Sequence, residues 1–182
     1  MDGAAGAKMS RLWHVSETQG IARFEPRAPS GEKSGGTVPV VWAIADQYLV
    51  NYLLPRDCPR VCVRAGHGTT ESDRLRYLGA SKATAVIFIE EDWRERVVQA
   101  ALWLYELPGT TFRCVDENAG YYLSETAVVP QSETLVRAPL DLMAQRGAEL
   151  QVVPRLRPVA AEVVASTLAF SVIRLRNAAS AA

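Results

Sequence analysis

Apolar runs along the chain predict strands interspersed with a few helices. The continuous run Ala85–Ile89 has the length and the β-branched composition of a central buried strand. Shorter apolar or alternating runs predict further strands at 11–17, 38–45, 61–63, 121–129 and 149–153. Helical spacing predicts helices at 46–52, ended by Pro55, at 141–146 and at 158–176, with Arg174 and Arg176 in the last turn. The ambiguous stretch 93–107 is expected to be a short helix that runs into a strand ending at Pro108 and Gly109. Because strands and helices do not alternate regularly, the order favours an α+β class with a mixed or antiparallel sheet over a doubly wound one.

The length and composition predict one domain. A chain of 182 residues with 48% apolar residues can bury a sizeable core. Residues 1–9, rich in alanine and glycine, are expected to be a loose leader, and residues 179–182 a short tail. We therefore expect a single α+β domain over 10–178, with an exposed loop at Ser30–Thr37.

The charge balance limits the classes of partner. Lysine plus arginine and aspartate plus glutamate both number 20, which argues against a strongly basic nucleic-acid binder but leaves a local basic patch open. No apolar run approaches the roughly 20 residues that span a bilayer, so no membrane partner is expected. Three cysteines without paired spacing predict a cytoplasmic protein without disulfides. Cys58, Cys62 and His67 also lack the spacing of a zinc site, so no metal is expected.

His14 is one of only two histidines and lies in the first predicted strand. In an extended run His14 and Ser16 share one face, while Trp13 and Val15 share the other. The polar face is suited to the floor of a binding cleft. The alternative is a single histidine that is hydrogen-bonded within a strand.

Two arginines, Arg56 and Arg60, bracket a turn that two prolines make rigid. Each guanidinium group offers a fixed fork of donors that suits phosphate oxygens. The alternative is an ion pair with Asp57 or with the acidic cluster 90–92.

Glu125 follows the aromatic run 120–124 at the end of a predicted strand. A carboxylate in such a place can orient a ribose hydroxyl or stabilise a developing cation. The alternative is a charge on an edge strand in contact with water. The sequence has no Gly-x-Gly-x-x-Gly, Walker or Gly-x-Ser-x-Gly pattern.

A family resemblance extends over most of residues 11–178. The residues that carry it are LWHVSE at 12–17, NYLLPRDCPR at 51–60, GYYLS at 120–124 and FSVIRLRNA at 170–178. With these motifs the chain resembles an uncharacterised bacterial family that has no established activity.

A more distant resemblance is to the ADP-ribosyltransferase-like fold, whose first strand carries an aromatic-His-x-Ser/Thr pattern and whose late strand carries a glutamate. It implies NAD as a substrate without a metal, with His14 and the neighbouring Ser16 on a ribose and Glu125 on the other ribose. Trp42 or Tyr52 would pack on the nicotinamide ring.

The same resemblance would place Arg56 or Arg60 on the diphosphate of NAD. Glu149 is a rival for the late-strand carboxylate. The Ser-Thr-Ser element of that fold has no counterpart after the second strand.

The resemblance thus implies a domain that binds NAD or another small-molecule nucleotide and transfers ADP-ribose to an acceptor the sequence does not identify. The alternative is a catalytically inactive ligand-binding or interaction module of the same fold. A third hypothesis, recognition of RNA ends by Arg56, Arg60 and Arg64, predicts binding that weakens steeply with salt.

Overall fold

The computed structural model describes residues 11–28, 38–79 and 82–180. The predicted leader, the predicted loop Ser30–Thr37 and the last two residues of the predicted tail lie outside these ranges. The described residues have α+β structure, as predicted, and they form two compact units. The first unit contains the described residues of 1–14, 19–49 and 104–134, and the second those of 15–18, 50–103 and 135–182.

The secondary structure consists of strands, α-helices and short 3-10 helices. The strands are β1 Leu12–Ser16, β2 Val41–Ala45, β3 Arg60–Arg64, β4 Ala85–Glu90, β5 Leu102–Leu107, β6 Arg113–Asp116, β7 Tyr121–Ser124, β8 Ser132–Val136, β9 Ala148–Val153 and β10 Ala169–Ile173. The α-helices are α1 Glu71–Leu78, α2 Arg94–Val98, α3 Pro139–Gln145 and α4 Leu156–Val164. The 3-10 helices are Asp46–Tyr52, Glu91–Trp93, Gly109–Thr111 and Leu175–Asn177. Within the described ranges, no helix combines the length and the hydropathy needed to cross a bilayer.

The first unit holds most of a six-stranded sheet with the order β6-β7-β2-β1-β5-β8. Strand β2 is antiparallel to both β1 and β7. The pair Trp13↔Ile44 sets the register of β1, so His14 lies on the face opposite Trp13. Strand β7 ends at Ser124, earlier than predicted, and the hydroxyl of Ser124 donates to the carbonyl oxygen of Thr126 at 3.0 Å.

The second unit is built on a four-stranded sheet with the order β10-β3-β4-β9. Strand β4 is parallel to β9, whereas β3 is antiparallel to both β4 and β10. Every residue of β4 is buried, as its continuous apolar run predicts for a central strand. Helices α1 and α4 contact β3 and β4 and cover the core. This core contains Val61, Val63, Tyr77, Leu78, Val86, Phe88, Leu156, Ala160, Val163 and Leu168.

Glu90 ends β4 with a buried carboxylate that contacts two distant parts of the second unit. Its Oε1 accepts a hydrogen bond from the backbone N–H of Leu156 at 3.0 Å, and its Oε2 accepts one from Ala179 at 2.9 Å. Leu156 is the first residue of α4, and the N-cap residue Arg155 makes no side-chain cap. Glu90 therefore supplies the missing cap from a neighbouring strand.

The predicted helix 158–176 is wrong beyond Val164. Helix α4 ends there, and Ser166 donates its hydroxyl to the carbonyl oxygen of Val163 at 2.7 Å. The following residues form β10, which pairs with β3 along its full length. As a result Arg174 and Arg176 follow an edge strand instead of occupying the last turn of a helix.

Helix α1 and strand β8 are among the elements that the sequence did not predict. Residues 71–78 form α1, which begins where Thr70 accepts a hydrogen bond from the backbone N–H of Asp73. Strand β8 lies in a polar stretch whose first three residues are exposed. Its sequence therefore carries no apolar signal that would predict a strand.

Candidate functional site

His14 is half-buried in the first unit, and its ring is held from two sides. It packs on Phe24 with the ring centroids 4.6 Å apart, and its Nδ1 lies 3.1 Å from the carbonyl oxygen of Trp42. A carbonyl oxygen can only accept, so Nδ1 is the donor in this hydrogen bond.

Two other predicted residues, Trp42 and Glu125, belong to the first unit. The side chain of Trp42 lies on the sheet face opposite His14 and makes an edge contact with Tyr121 at 5.7 Å between centroids. Glu125 is exposed beyond the end of β7, with its Oε1 3.7 Å from a nitrogen of Arg113.

The remaining predicted residues belong to the second unit. Ser16 is buried, and its hydroxyl oxygen accepts a hydrogen bond from the backbone N–H of Thr18 at 3.0 Å. Tyr52, Arg56 and Arg60 lie on or beside one turn, and these three are brought together. The rival Glu149 is exposed in β9.

Residues 55–58 form a four-residue turn. The backbone N–H of Cys58 closes it by donating to the carbonyl oxygen of Pro55 at 3.0 Å. The exposed residue Arg56 follows Pro55, and its backbone N–H donates to Oε2 of Glu17 at 3.1 Å. The backbone is thus held while the guanidinium group of Arg56 extends from it.

Arg60 lies under this turn and is only 2% exposed. One terminal nitrogen donates to the carbonyl oxygens of Cys58 at 2.8 Å and Pro55 at 3.2 Å. The guanidinium carbon lies 5.4 Å from the centroid of the Tyr52 ring. The Nε atom is buried and has no hydrogen-bond partner among the described residues.

Two further arginines reach the same turn from the end of β10. The register pairs Ile173 with Arg60, so the residue after Ile173 leaves the sheet beside the turn. That residue, Arg174, has a φ of 55°, the left-handed region that side chains other than glycine rarely adopt. Asn177 then donates its side-chain amide to the carbonyl oxygen of Asp57 at 2.7 Å, which ties the following 3-10 turn to the first turn.

We call Arg56, Arg60, Arg174 and Arg176 the arginine cluster. Burial lowers the pKa of Arg174 below its ordinary value, and the positive charges of Arg176, Arg56 and Arg60 lower this pKa further. Among the described residues, Asp57 is the one carboxylate whose negative charge raises the pKa of Arg174. Within the described ranges, none of the four arginines forms an ion pair with a carboxylate. The cluster is therefore an excess of positive charge in a chain whose total charge is zero.

The comparisons with known proteins place the chain in a family. A family model described as a family of unknown function, DUF6886, matches residues 13–178. The chain belongs to this family. The matched range includes the whole arginine cluster, and the predicted resemblance to an uncharacterised family is confirmed. No curated protein and no solved structure matches the chain.

The two thiols beside the cluster are unsuited to nucleophilic chemistry. Burial raises the pKa of Cys58 to about 11 and the pKa of Cys62 to about 12. Both thiols are therefore protonated near neutral pH, and a protonated thiol is a poor nucleophile. The chemistry that the cluster supports is the binding of an anion.

Half of the cluster was not predicted from the sequence. Apolar residues at 164, 168, 172 and 175 fit helical spacing, which predicts Arg174 and Arg176 in the last turn of a helix. A second signal was present in the same stretch, since the β-branched pair Val172 and Ile173 follows the Ser-Thr pair at 166–167, which can end a helix.

Proposed function

We propose that this protein binds a phosphate-bearing small molecule of the nucleotide type, with Arg56, Arg174 and Arg176 holding the phosphate oxygens and the buried Arg60 contributing its charge. The observation that carries the proposal is the buried Arg60, whose charge faces no carboxylate and whose Nε lacks a partner among the described residues. A buried charge without a counter-charge is costly, and a bound anion removes that cost.

The other members of the cluster have the chemistry of a phosphate site. Arg56 and Arg176 are exposed and Arg174 is half-buried, so their planar forks are accessible to a ligand. Like charges held together destabilise the ligand-free protein, and unusual backbone angles such as that of Arg174 are concentrated at functional sites. An anion would offset the repulsion through charge-assisted hydrogen bonds.

Replacing Arg176 with glutamine is expected to weaken ADP binding at least about tenfold, the effect of losing one charge-assisted hydrogen bond of about 1.5–3 kcal/mol. Isothermal titration calorimetry at low salt measures this change. Arg176 is exposed and forms no ion pair with a described carboxylate, so the substitution is not expected to disturb folding.

The matched control is Arg155→Gln, which removes the same charge from an exposed residue of the second unit. The guanidinium group of Arg155 donates to the carbonyl oxygen of Pro154. We expect ADP binding by this variant to equal that of the parent protein. Equal weakening in both variants, or no ADP binding by the parent, would contradict the proposal.

A second candidate function is ADP-ribosyl transfer from NAD, which the resemblance to the ADP-ribosyltransferase-like fold implies. The position of His14 in the first strand favours it, because Nδ1 lies 3.1 Å from the carbonyl oxygen of Trp42 and this contact orients the ring. In this reaction the bond between C1′ and the nicotinamide nitrogen breaks, and its electron pair leaves with nicotinamide. The oxygen of the acceptor bonds to C1′ and releases its proton, while Glu125 would stabilise the cationic transition state.

Chromatography of NAD incubated with the protein in water tests this function, since water is then the acceptor. Transfer predicts that nicotinamide is released, that Glu125→Ala abolishes the release, and that the exposed control Glu117→Ala keeps it. His14→Ala should weaken NAD binding as well. Binding of NAD without release would instead assign the protein to the alternative, an inactive binding module of the same fold.

A further inference from the structure

The four arginines of the arginine cluster belong to two segments that meet at one turn. Arg56 lies in the turn, Arg60 lies under it, and Arg174 leaves the sheet next to it. The hydrogen bond from Asn177 to the carbonyl oxygen of Asp57 fixes the second pair of arginines against the first. The positive charges of Arg176, Arg56 and Arg60 all act on Arg174, and among the described residues Asp57 is the one carboxylate whose charge opposes theirs.

Such a concentration of charge matches a particular kind of phosphate. A terminal phosphate monoester carries a charge of about −1.5 to −2 near neutral pH and has three acceptor oxygens. An internal phosphate in a diester or in the diphosphate of NAD carries about one charge on two free oxygens, because two oxygens are bonded to neighbouring groups. The guanidinium groups of Arg56, Arg174 and Arg176 are accessible, and their number equals that of the acceptor oxygens on a terminal phosphate.

The aromatic residue beside the cluster is already engaged. The ring of Tyr52 faces the guanidinium group of Arg60, with 5.4 Å between the centroid and the guanidinium carbon. This arrangement supports the charge of Arg60 from behind. The contact already uses one face of the ring, which favours recognition of the phosphate group over stacking on a base or on nicotinamide.

We infer that the arginine cluster selects a terminal phosphate monoester over an internal phosphate, an inference that rests on the proposed function. This assignment differs from the diphosphate of NAD, which the family resemblance implies for Arg56 and Arg60. The ligand is a small phosphomonoester, such as a nucleoside monophosphate or a sugar phosphate.

Calorimetry with AMP and with cyclic 3′,5′-AMP tests the inference, because the two ligands share a base and a sugar and differ in whether the phosphate is a monoester or a diester. We expect AMP to bind at least about tenfold more tightly, and Arg176→Gln to reduce this preference while Arg155→Gln keeps it. The affinity for AMP should also fall between about pH 7.5 and about pH 5, because the second ionisation of the phosphate has a pKa of about 6 while arginine stays charged. The affinity for cyclic AMP should not change over this range.

The remaining outcomes distinguish the preference for a monoester from phosphate binding itself. Binding of NAD or cyclic AMP as tightly as AMP overturns the selection of a monoester but leaves phosphate binding intact. No binding of any phosphate ligand overturns both. An oligonucleotide that binds equally with and without a 5′-phosphate, and less at higher salt, overturns the inference in favour of contacts to a nucleic-acid backbone. Binding that requires the 5′-phosphate supports the inference and identifies a nucleic-acid end as one source of the group.

Discussion

Replacing Glu90 with glutamine is expected to lower the free energy of unfolding by about 3 kcal/mol, since hydrogen bonds to a charged group contribute about 1.5–3 kcal/mol each. The carboxylate of Glu90 is buried and accepts hydrogen bonds from the backbone N–H groups of Leu156 and Ala179. An amide keeps one acceptor oxygen but turns an NH₂ group toward one of the two N–H donors. One backbone donor is then buried without a partner, and the bond that is kept loses its charge. Chemical denaturation of the two proteins measures the difference.

The adjacent residue provides the control for this substitution. Glu91 is exposed and forms an ion pair with Arg94 at 3.4 Å. Glu91→Gln is expected to change the free energy of unfolding by about 0.5 kcal/mol or less, the usual contribution of an exposed pair within a helix. If Glu90→Gln costs no more than Glu91→Gln, the carboxylate of Glu90 does not hold α4 and the segment at Ala179.

Replacing Gly120 with alanine is also expected to destabilise the protein by about 3 kcal/mol, which combines two effects. Gly120 has a φ of 68°, where a residue with a Cβ is disfavoured by about 1–2 kcal/mol. The new Cβ would in addition overlap the ring of Tyr48, and overpacking typically costs about 1–3 kcal/mol. Thermal or chemical denaturation measures the sum.

Gly20 separates these two effects. Its φ is 74°, close to that of Gly120, but a Cβ at this position meets no atom within 4 Å. Gly20→Ala is therefore expected to show the conformational cost alone, about 1–2 kcal/mol. Equal destabilisation by the two substitutions would mean that the ring of Tyr48 moves aside without cost.

The parts of the fold that the sequence predicted are those whose signal is local. The apolar run of β4 identified a buried central strand, and Pro55 marked the end of the helical stretch before β3. Glu90 shows the limit of such reasoning. Its place in the acidic cluster 90–92 gives no local sign of burial, because its two partners lie 66 and 89 residues further along the chain.

The final segment was mispredicted because two periodicities compete in it. Apolar residues at 164, 168, 172 and 175 fit one face of a helix. Pairing with β3 offers residues 169–173 a full ladder of backbone hydrogen bonds, and that tertiary interaction overrides the helical pattern. A sequence taken alone shows the pattern but not the neighbouring strand.

Only part of the candidate site was predicted, because the sequence does not show which strands become neighbours. Arg56 and Arg60 were identified because a rigid turn lies between them in the chain. Arg174 and Arg176 reach that turn only through the pairing of β10 with β3, which has no local signature. The total charge of zero also gave no indication of a local excess of positive charge at this turn.

The way in which β10 is anchored links ligand binding to the folding of one edge of the second sheet. The two halves of the arginine cluster come from stretches about 120 residues apart, and they meet only while β10 is docked on β3. A strand at the edge of a sheet opens more readily than a central one, because it has a neighbour on one side only. An anion that bridges both halves would therefore slow the fraying of this edge. Backbone amide hydrogen exchange in β10 would then become slower as the fraction of protein with bound anion rises.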